Sequence, residues 1–138
     1  MISAKGYVDK KYLSYATTGI FRIKLAKAYN ERFGELYEKY IQSGFSFGEK
    51  LTEEEQQEWK DILSKDKYTA TIHKFFTCPD CDASFSPREC EKLLVSFKDV
   101  KLDYVIDDRF TSEEFNVLDY VKELFKFCGE QKVKLLFF

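Results

Sequence analysis

The chain has 138 residues, enough for one domain, and its 22 basic and 24 acidic side chains give a net charge of −2 at pH 7. This balance argues against a general nucleic-acid binder, and the lack of an apolar run of about 18 residues argues against a membrane span. The N-terminal sequence lacks the apolar core of a secretion signal. We therefore expect a cytoplasmic protein, with its four cysteines present as reduced thiols or as metal ligands.

The first half of the chain predicts helices. Residues 1–17 show only weak periodicity, whereas residues 18–43 carry apolar side chains at three- and four-residue steps. This spacing predicts one amphipathic helix that ends at Ser43-Gly44. Its apolar stripe consists of Ala26, Tyr29, Phe33, Leu36 and Tyr40. Residues 52–55 have the pattern of a capping box, which predicts a second helix through about Ser64.

The second half of the chain alternates between predicted strands and predicted helices. A helix begins with the capping box at Ser86, with Pro87 in the first helical position. Another helix begins at a hydroxyl within residues 111–114 and ends at Gly129. The candidate strands, rich in β-branched and aromatic residues, are 68–76, 100–106 and 132–138.

These elements predict an α+β fold in a single domain, residues 1–138. A helical part, residues 1–66, precedes a part with the order β-α-β-α-β, residues 67–138. The expected architecture is a three-stranded sheet with helices packed against it.

Four cysteines form the most concentrated group of reactive side chains. Cys78 and Cys81 form a C-x-x-C turn that can offer two thiolates to one zinc ion. Cys90 and Cys128 lie on the inward stripes of two predicted helices and would complete a tetrahedral site. Buried cysteine also packs as a small apolar side chain without any metal. We therefore expect no cofactor, with zinc as the alternative.

The run Cys78-Pro79-Asp80-Cys81 is similar to the C-P-x-C motif of the thioredoxin and glutaredoxin families. Their reactivity needs the first thiolate at a helix N-terminus. Here the next predicted helix begins only at Ser86, and neither of the two prolines can act as the cis-proline of those families. The sequence therefore disfavours redox chemistry.

The single histidine, His73, lies in a predicted strand with Thr71 and Phe75 on the same face. A nucleophilic pair with Cys78 or Cys81 would need an orienting third group and an oxyanion hole, and the sequence marks neither. It also contains no glycine-rich phosphate loop and no G-x-S-x-G or H-E-x-x-H motif. We predict that the protein is not an enzyme.

The stretch from Asp80 to Cys90, DCDASFSPREC, resembles an uncharacterised bacterial family with the signature D-C-D-G…S-P-x-E-C. The resemblance covers about residues 70–138. Ala83 stands where the family has glycine, and Cys78 where it tends to have histidine. Family members resemble small partner-binding proteins, and some look like immunity proteins encoded beside bacterial toxins. The resemblance implies an interaction protein.

The densest acidic stretch runs from Asp103 to Glu123, where it would attract a basic partner. The predicted contact set is Asp103, Asp107, Asp108, Glu113, Glu114 and Asp119. We predict an immunity-type protein that neutralises a basic toxin or another enzyme through this acidic face. One alternative is a zinc-stabilised regulatory module that contacts nucleic acid through its basic N-terminal helix. Another is a phage-encoded inhibitor of a host defence enzyme.

Overall fold

The computed structural model describes residues 1–42 and 51–138 and has an α+β architecture, which confirms the predicted fold class. The elements are β1 (Ile2–Ala4), α1 (Tyr15–Tyr29), α2 (Glu31–Gln42), α3 (Glu53–Ser64), α4 (Thr69–Thr77), β2 (Ala83–Phe85), α5 (Pro87–Ser96), β3 (Val105–Asp107), β4 (Glu114–Asn116), α6 (Val117–Gln131) and β5 (Leu135–Phe137). The predicted order of helices followed by β-α-β-α-β is not observed. The predicted helix end at Ser43-Gly44 lies outside the described residues.

The predicted helix over residues 18–43 is two helices in the described part, because the chain breaks at Asn30. Asn30 has extended backbone angles, φ −161° and ψ 123°. Its side-chain Oδ1 accepts a hydrogen bond from the Phe33 N–H at 2.9 Å and so caps the start of α2. An asparagine side chain competes for backbone hydrogen bonds in this way, so asparagine is more favourable at a helix cap than in a helix interior.

The predicted strand over residues 68–76 is wrong, because this segment forms helix α4. Its buried side chains are Thr71, Ile72, Phe75 and Phe76, a spacing that places them on one side of a helix. Burial of this face in the aromatic core outweighs the strand preference of threonine, isoleucine and phenylalanine.

The region between α5 and α6 also differs from the prediction. Residues 105–107 and 114–116 pair as an antiparallel hairpin, β3–β4, where a longer strand and a helix start were predicted. Helix α6 begins later, at Val117, because the Asn116 side chain accepts the Asp119 N–H and caps it. The helix also continues past Gly129 to Gln131.

The predicted C-terminal strand is confirmed as β5, and it lies in the centre of a three-stranded antiparallel sheet with the order β1-β5-β2. Leu136 on β5 lies opposite Ser3 on β1 and Ser84 on β2. The N-terminal amine donates a hydrogen bond to the Phe138 carbonyl at 2.7 Å. Strand β1 was not predicted, because its three residues carry no periodic signal.

One hydrophobic core joins side chains from both halves of the chain. Aromatic rings meet edge to face at its centre, with the Phe33 and Trp59 ring centroids 4.8 Å apart. The capping boxes at Thr52 and Ser86 are both confirmed. Among residues 1–42 and 51–138, no helix has the length and apolar character needed to cross a bilayer.

Candidate functional site

The four cysteines do not converge on one point. Cys90 on α5 and Cys128 on α6 are buried and in contact, and a thiol hydrogen bond to Cys128, together with burial, raises the pKa of Cys90. Cys78 is buried elsewhere and Cys81 is exposed. Within the described ranges, no three His, Cys, Asp or Glu side chains are placed to hold a metal ion together. The zinc alternative therefore has no assembled site among these residues.

The loop around Cys78 is held by a buried arginine on α1. Arg22 is 1% exposed, and its guanidinium donates to the carbonyls of Phe75 at 3.1 Å and Cys78 at 2.6 Å. It also donates to Asp80 Oδ1 at 2.5 Å and lies 3.4 Å from the Cys78 sulfur. The first part of the DCDASFSPREC run is thus tied to helix α1. This gives Asp80 a structural role that local sequence reasoning missed.

The environment of Cys78 favours the neutral thiol. Burial raises its pKa above the ordinary value, and the nearby Arg22 guanidinium offsets only part of this effect. A nucleophilic cysteine needs the opposite shift, toward the thiolate.

His73 lies on α4 and contacts a tryptophan. The Trp59 indole N–H donates to His73 Nδ1 at 3.1 Å, which needs an unprotonated Nδ1. Burial and the charge of Lys60 lower the pKa of His73 and so favour that neutral form. Nδ1 of His73 is thus hydrogen-bonded to Trp59, and the Cys–His pair considered from the sequence gains no support from this contact.

The six acidic residues of the predicted contact set fall in three places. Asp107, Glu113 and Glu114 are exposed on the hairpin β3–β4. Asp103 and Asp119 are exposed beside a groove of about 520 Å³ whose lining also includes three lysines, Lys98, Lys101 and Lys122. These lysines reduce the local negative potential, whereas on the hairpin three exposed carboxylates face a single exposed cation, Arg109.

Asp108 must be removed from the contact set, because it is only 1% exposed. Its carboxylate accepts hydrogen bonds from the Tyr12 N–H at 3.1 Å, the Phe110 N–H at 3.3 Å and the Thr111 hydroxyl at 3.0 Å. Burial opposes its charge, but these donors outweigh burial and hold the pKa of Asp108 below its ordinary value. Asp108 therefore fixes the hairpin tip to the N-terminal segment.

The hairpin tip carries a side chain that the sequence reasoning missed. Phe110 is 63% exposed, and Val105 on the outward face of β3 is 47% exposed. Phe110 meets the Tyr12 ring edge to face at 5.7 Å, and the Arg109 guanidinium stacks over the same ring at 4.5 Å. The signal was available in the sequence, because Phe110 is the one apolar residue in the polar run from Asp107 to Glu114.

Comparison with known proteins finds no relative from which a role for this site could be transferred. No protein-family model matches the chain, and no curated protein and no solved structure matches it either.

The hairpin carboxylates lack the ion pairs that are common elsewhere on this protein. Arg32 pairs with Glu58 at 2.8 Å, and Lys74 pairs with Glu89 at 2.9 Å. Asp107, Glu113 and Glu114 form no ion pair with any other described residue. We name Val105, Asp107, Phe110, Glu113 and Glu114 the hairpin surface. Chemically, it offers carboxylates and apolar groups for binding.

Proposed function

We propose that this protein acts by binding a basic protein through the hairpin surface and thereby neutralises it, as an immunity-type inhibitor of a toxin or another enzyme. The observation that carries the proposal is the unpaired negative charge of Asp107, Glu113 and Glu114 on an ordered hairpin. A patch of one sign of charge speeds encounter with a partner of the opposite sign and sets the orientation of docking.

The mechanism follows from the position of these charges. In the register of the hairpin, Asp107 lies directly opposite Glu114, so their side chains share one face of the hairpin. In the complex, the carboxylates of this face would take the place of the phosphate groups that a nuclease, or another enzyme with an anionic substrate, binds in its basic cleft. Occupying that basic cleft blocks its substrate without any chemical step by the inhibitor.

The first experiment captures the partner from the native host with immobilised protein. Wild type is compared with the triple reversal D107K/E113K/E114K, and with the matched control E54K/D61K/E130K. The control changes the net charge equally at exposed residues outside the hairpin. We expect wild type and control to retain the same basic protein, and the hairpin reversal to lose it.

A second measurement tests neutralisation. The captured protein, once purified, should lose its activity when wild type is added and keep it when the hairpin reversal is added. Circular dichroism melting should show both triple variants folded. Equal capture and equal inhibition by all three proteins would refute the acidic-face mechanism.

The two alternative functions lead to different observations. A zinc-stabilised module predicts about one equivalent of zinc in purified protein, lost on replacing Cys78 or Cys81. A phage-encoded inhibitor binds by the same physics, so the genes on either side of the coding sequence separate it from an immunity protein.

A further inference from the structure

Phe110 is exposed at the hairpin tip without contributing to the hydrophobic core. At 63% exposure, most of its ring faces solvent. Val105, an apolar side chain on the outward face of β3, is itself 47% exposed. Aromatic side chains are enriched in protein interfaces relative to the rest of the protein surface.

The backbone that carries Phe110 is held in place on several sides. The Asp108 carboxylate accepts the Phe110 N–H, and the Asp108 carbonyl accepts the Ser112 N–H at 2.7 Å. The Asp108 N–H in turn donates to the Glu113 carbonyl at 2.8 Å, which closes the loop. Tyr12 supports the Phe110 ring from the N-terminal segment. An ordered loop loses little conformational entropy on binding.

We propose that Phe110 is the apolar anchor of the interface and that it enters an apolar pocket, rimmed by Lys and Arg, on the partner protein. This inference rests on the proposed function and deepens it. Aromatic side chains are enriched in the core of protein interfaces, where a few buried anchors near the centre carry most of the binding energy. Here the carboxylates supply the rim and Phe110 supplies the centre.

Charge complementarity selects the class of partner. Three exposed carboxylates against one exposed guanidinium, that of Arg109, leave the hairpin negatively charged, so an anionic lipid surface or a nucleic-acid backbone would repel it. A basic protein surface is attracted by the same carboxylates, so the chemistry fits a protein pocket with Lys and Arg at its edge.

The test places a photo-crosslinker in the full chain. Position 110 receives p-benzoyl-phenylalanine, a benzophenone that keeps the aromatic ring, and Val95 on α5 receives it in the control, since Val95 is 59% exposed outside the hairpin. On irradiation in the native host, we expect one protein adduct at position 110 and none at position 95. Adding D107K/E113K/E114K to the position-110 protein should abolish that adduct. Peptide sequencing should place the adduct on an apolar residue flanked by Lys or Arg.

Binding kinetics measured with the purified partner distinguish the contribution of Phe110 from that of the surrounding carboxylates. F110A should weaken binding about 30-fold or more, mainly through faster dissociation. The charge reversal should instead slow association and reduce its dependence on salt. The melting temperature of F110A should stay unchanged, because the Phe110 ring is largely outside the core.

Each outcome has one meaning. A partner that is captured in a charge-dependent way but shows no adduct at 110 and no loss with F110A overturns the anchor and leaves the proposed function standing. An adduct on an acidic or wholly polar segment also overturns the anchor. If no charge-dependent partner is found, the proposed function and the anchor both fail.

Discussion

Removing the Arg22 guanidinium should destabilise the fold more than removing Asp80, although the two form one ion pair. In R22M, the carbonyls of Phe75 and Cys78 lose a buried donor as well as the ion pair. Each buried carbonyl left without its donor costs about 1–3 kcal/mol of unfolding free energy. In D80A, Arg22 keeps its carbonyl partners, and the Asp80 side chain is 28% exposed, so water can replace it. We expect a loss of about 1.5–2 kcal/mol there, in the lower part of the range for a hydrogen bond to a charged group.

The double variant R22M/D80A tests whether Asp80 acts through Arg22. If it does, the double variant should cost about as much as R22M alone, because Asp80 has no further stabilising role once the guanidinium is gone. Urea unfolding can be followed by the fluorescence of the single tryptophan, Trp59, which is buried. D80N keeps an acceptor oxygen and should lose less than D80A.

Two results would contradict this role of Arg22 in holding the loop around Cys78. One is a D80A cost equal to or above that of R22M. The other is a double variant whose cost equals the sum of the two single costs, which would mean that the residues act independently.

Two further predictions concern packing and pH. G34A should lower the unfolding free energy by about 1–3 kcal/mol, because a Cβ at Gly34 would lie 2.6 Å from Lys27 Cα. G19A should raise it by about 0.5–1 kcal/mol, because nothing lies within 4 Å of the added carbon and alanine favours a helix more than glycine does. A urea midpoint for G34A at or above that of the wild type would contradict this packing of α1 on α2, and a lower midpoint for G19A would contradict the open space at Gly19. Because the pKa of His73 is lowered in the fold, the unfolded chain takes up its proton first, and stability should fall as pH drops below about 6.5. H73N should flatten that dependence between pH 7.5 and 5.5, and an unchanged slope would contradict the lowered pKa of His73 in the folded protein.

Signals that act over a few residues were readable from the sequence. The capping boxes at Thr52 and Ser86 were placed correctly, since both partners of each box lie within four residues. The strand prediction for residues 68–76 failed for the opposite reason. β-Branched and aromatic residues prefer strands on average, but here the aromatic core buries one helical side of α4.

Contacts between distant parts of the chain were not readable. Strand β1 exists because Ile2–Ala4 pairs with β5 at the other end of the sequence. Asp108 looked like its exposed acidic neighbours, and its burial depends on the Tyr12 N–H, which is 96 residues away in sequence. The acidic character of the site could be predicted, while its division between hairpin, groove and interior could not.

Two like charges repel each other on the hairpin surface of the free protein. Asp107 and Glu114 lie directly opposite each other, and like charges in that position destabilise an antiparallel pair. D107K would place opposite charges there and should raise the unfolding free energy by about 0.2–1 kcal/mol. If this surface binds a basic partner, the same substitution should weaken binding, so that stability and affinity change in opposite directions. D61K, on α3, is the control for the change in charge, and thermal melting with surface plasmon resonance gives both quantities. A D107K protein that gains stability and keeps full affinity would show that this carboxylate serves neither the fold nor the partner.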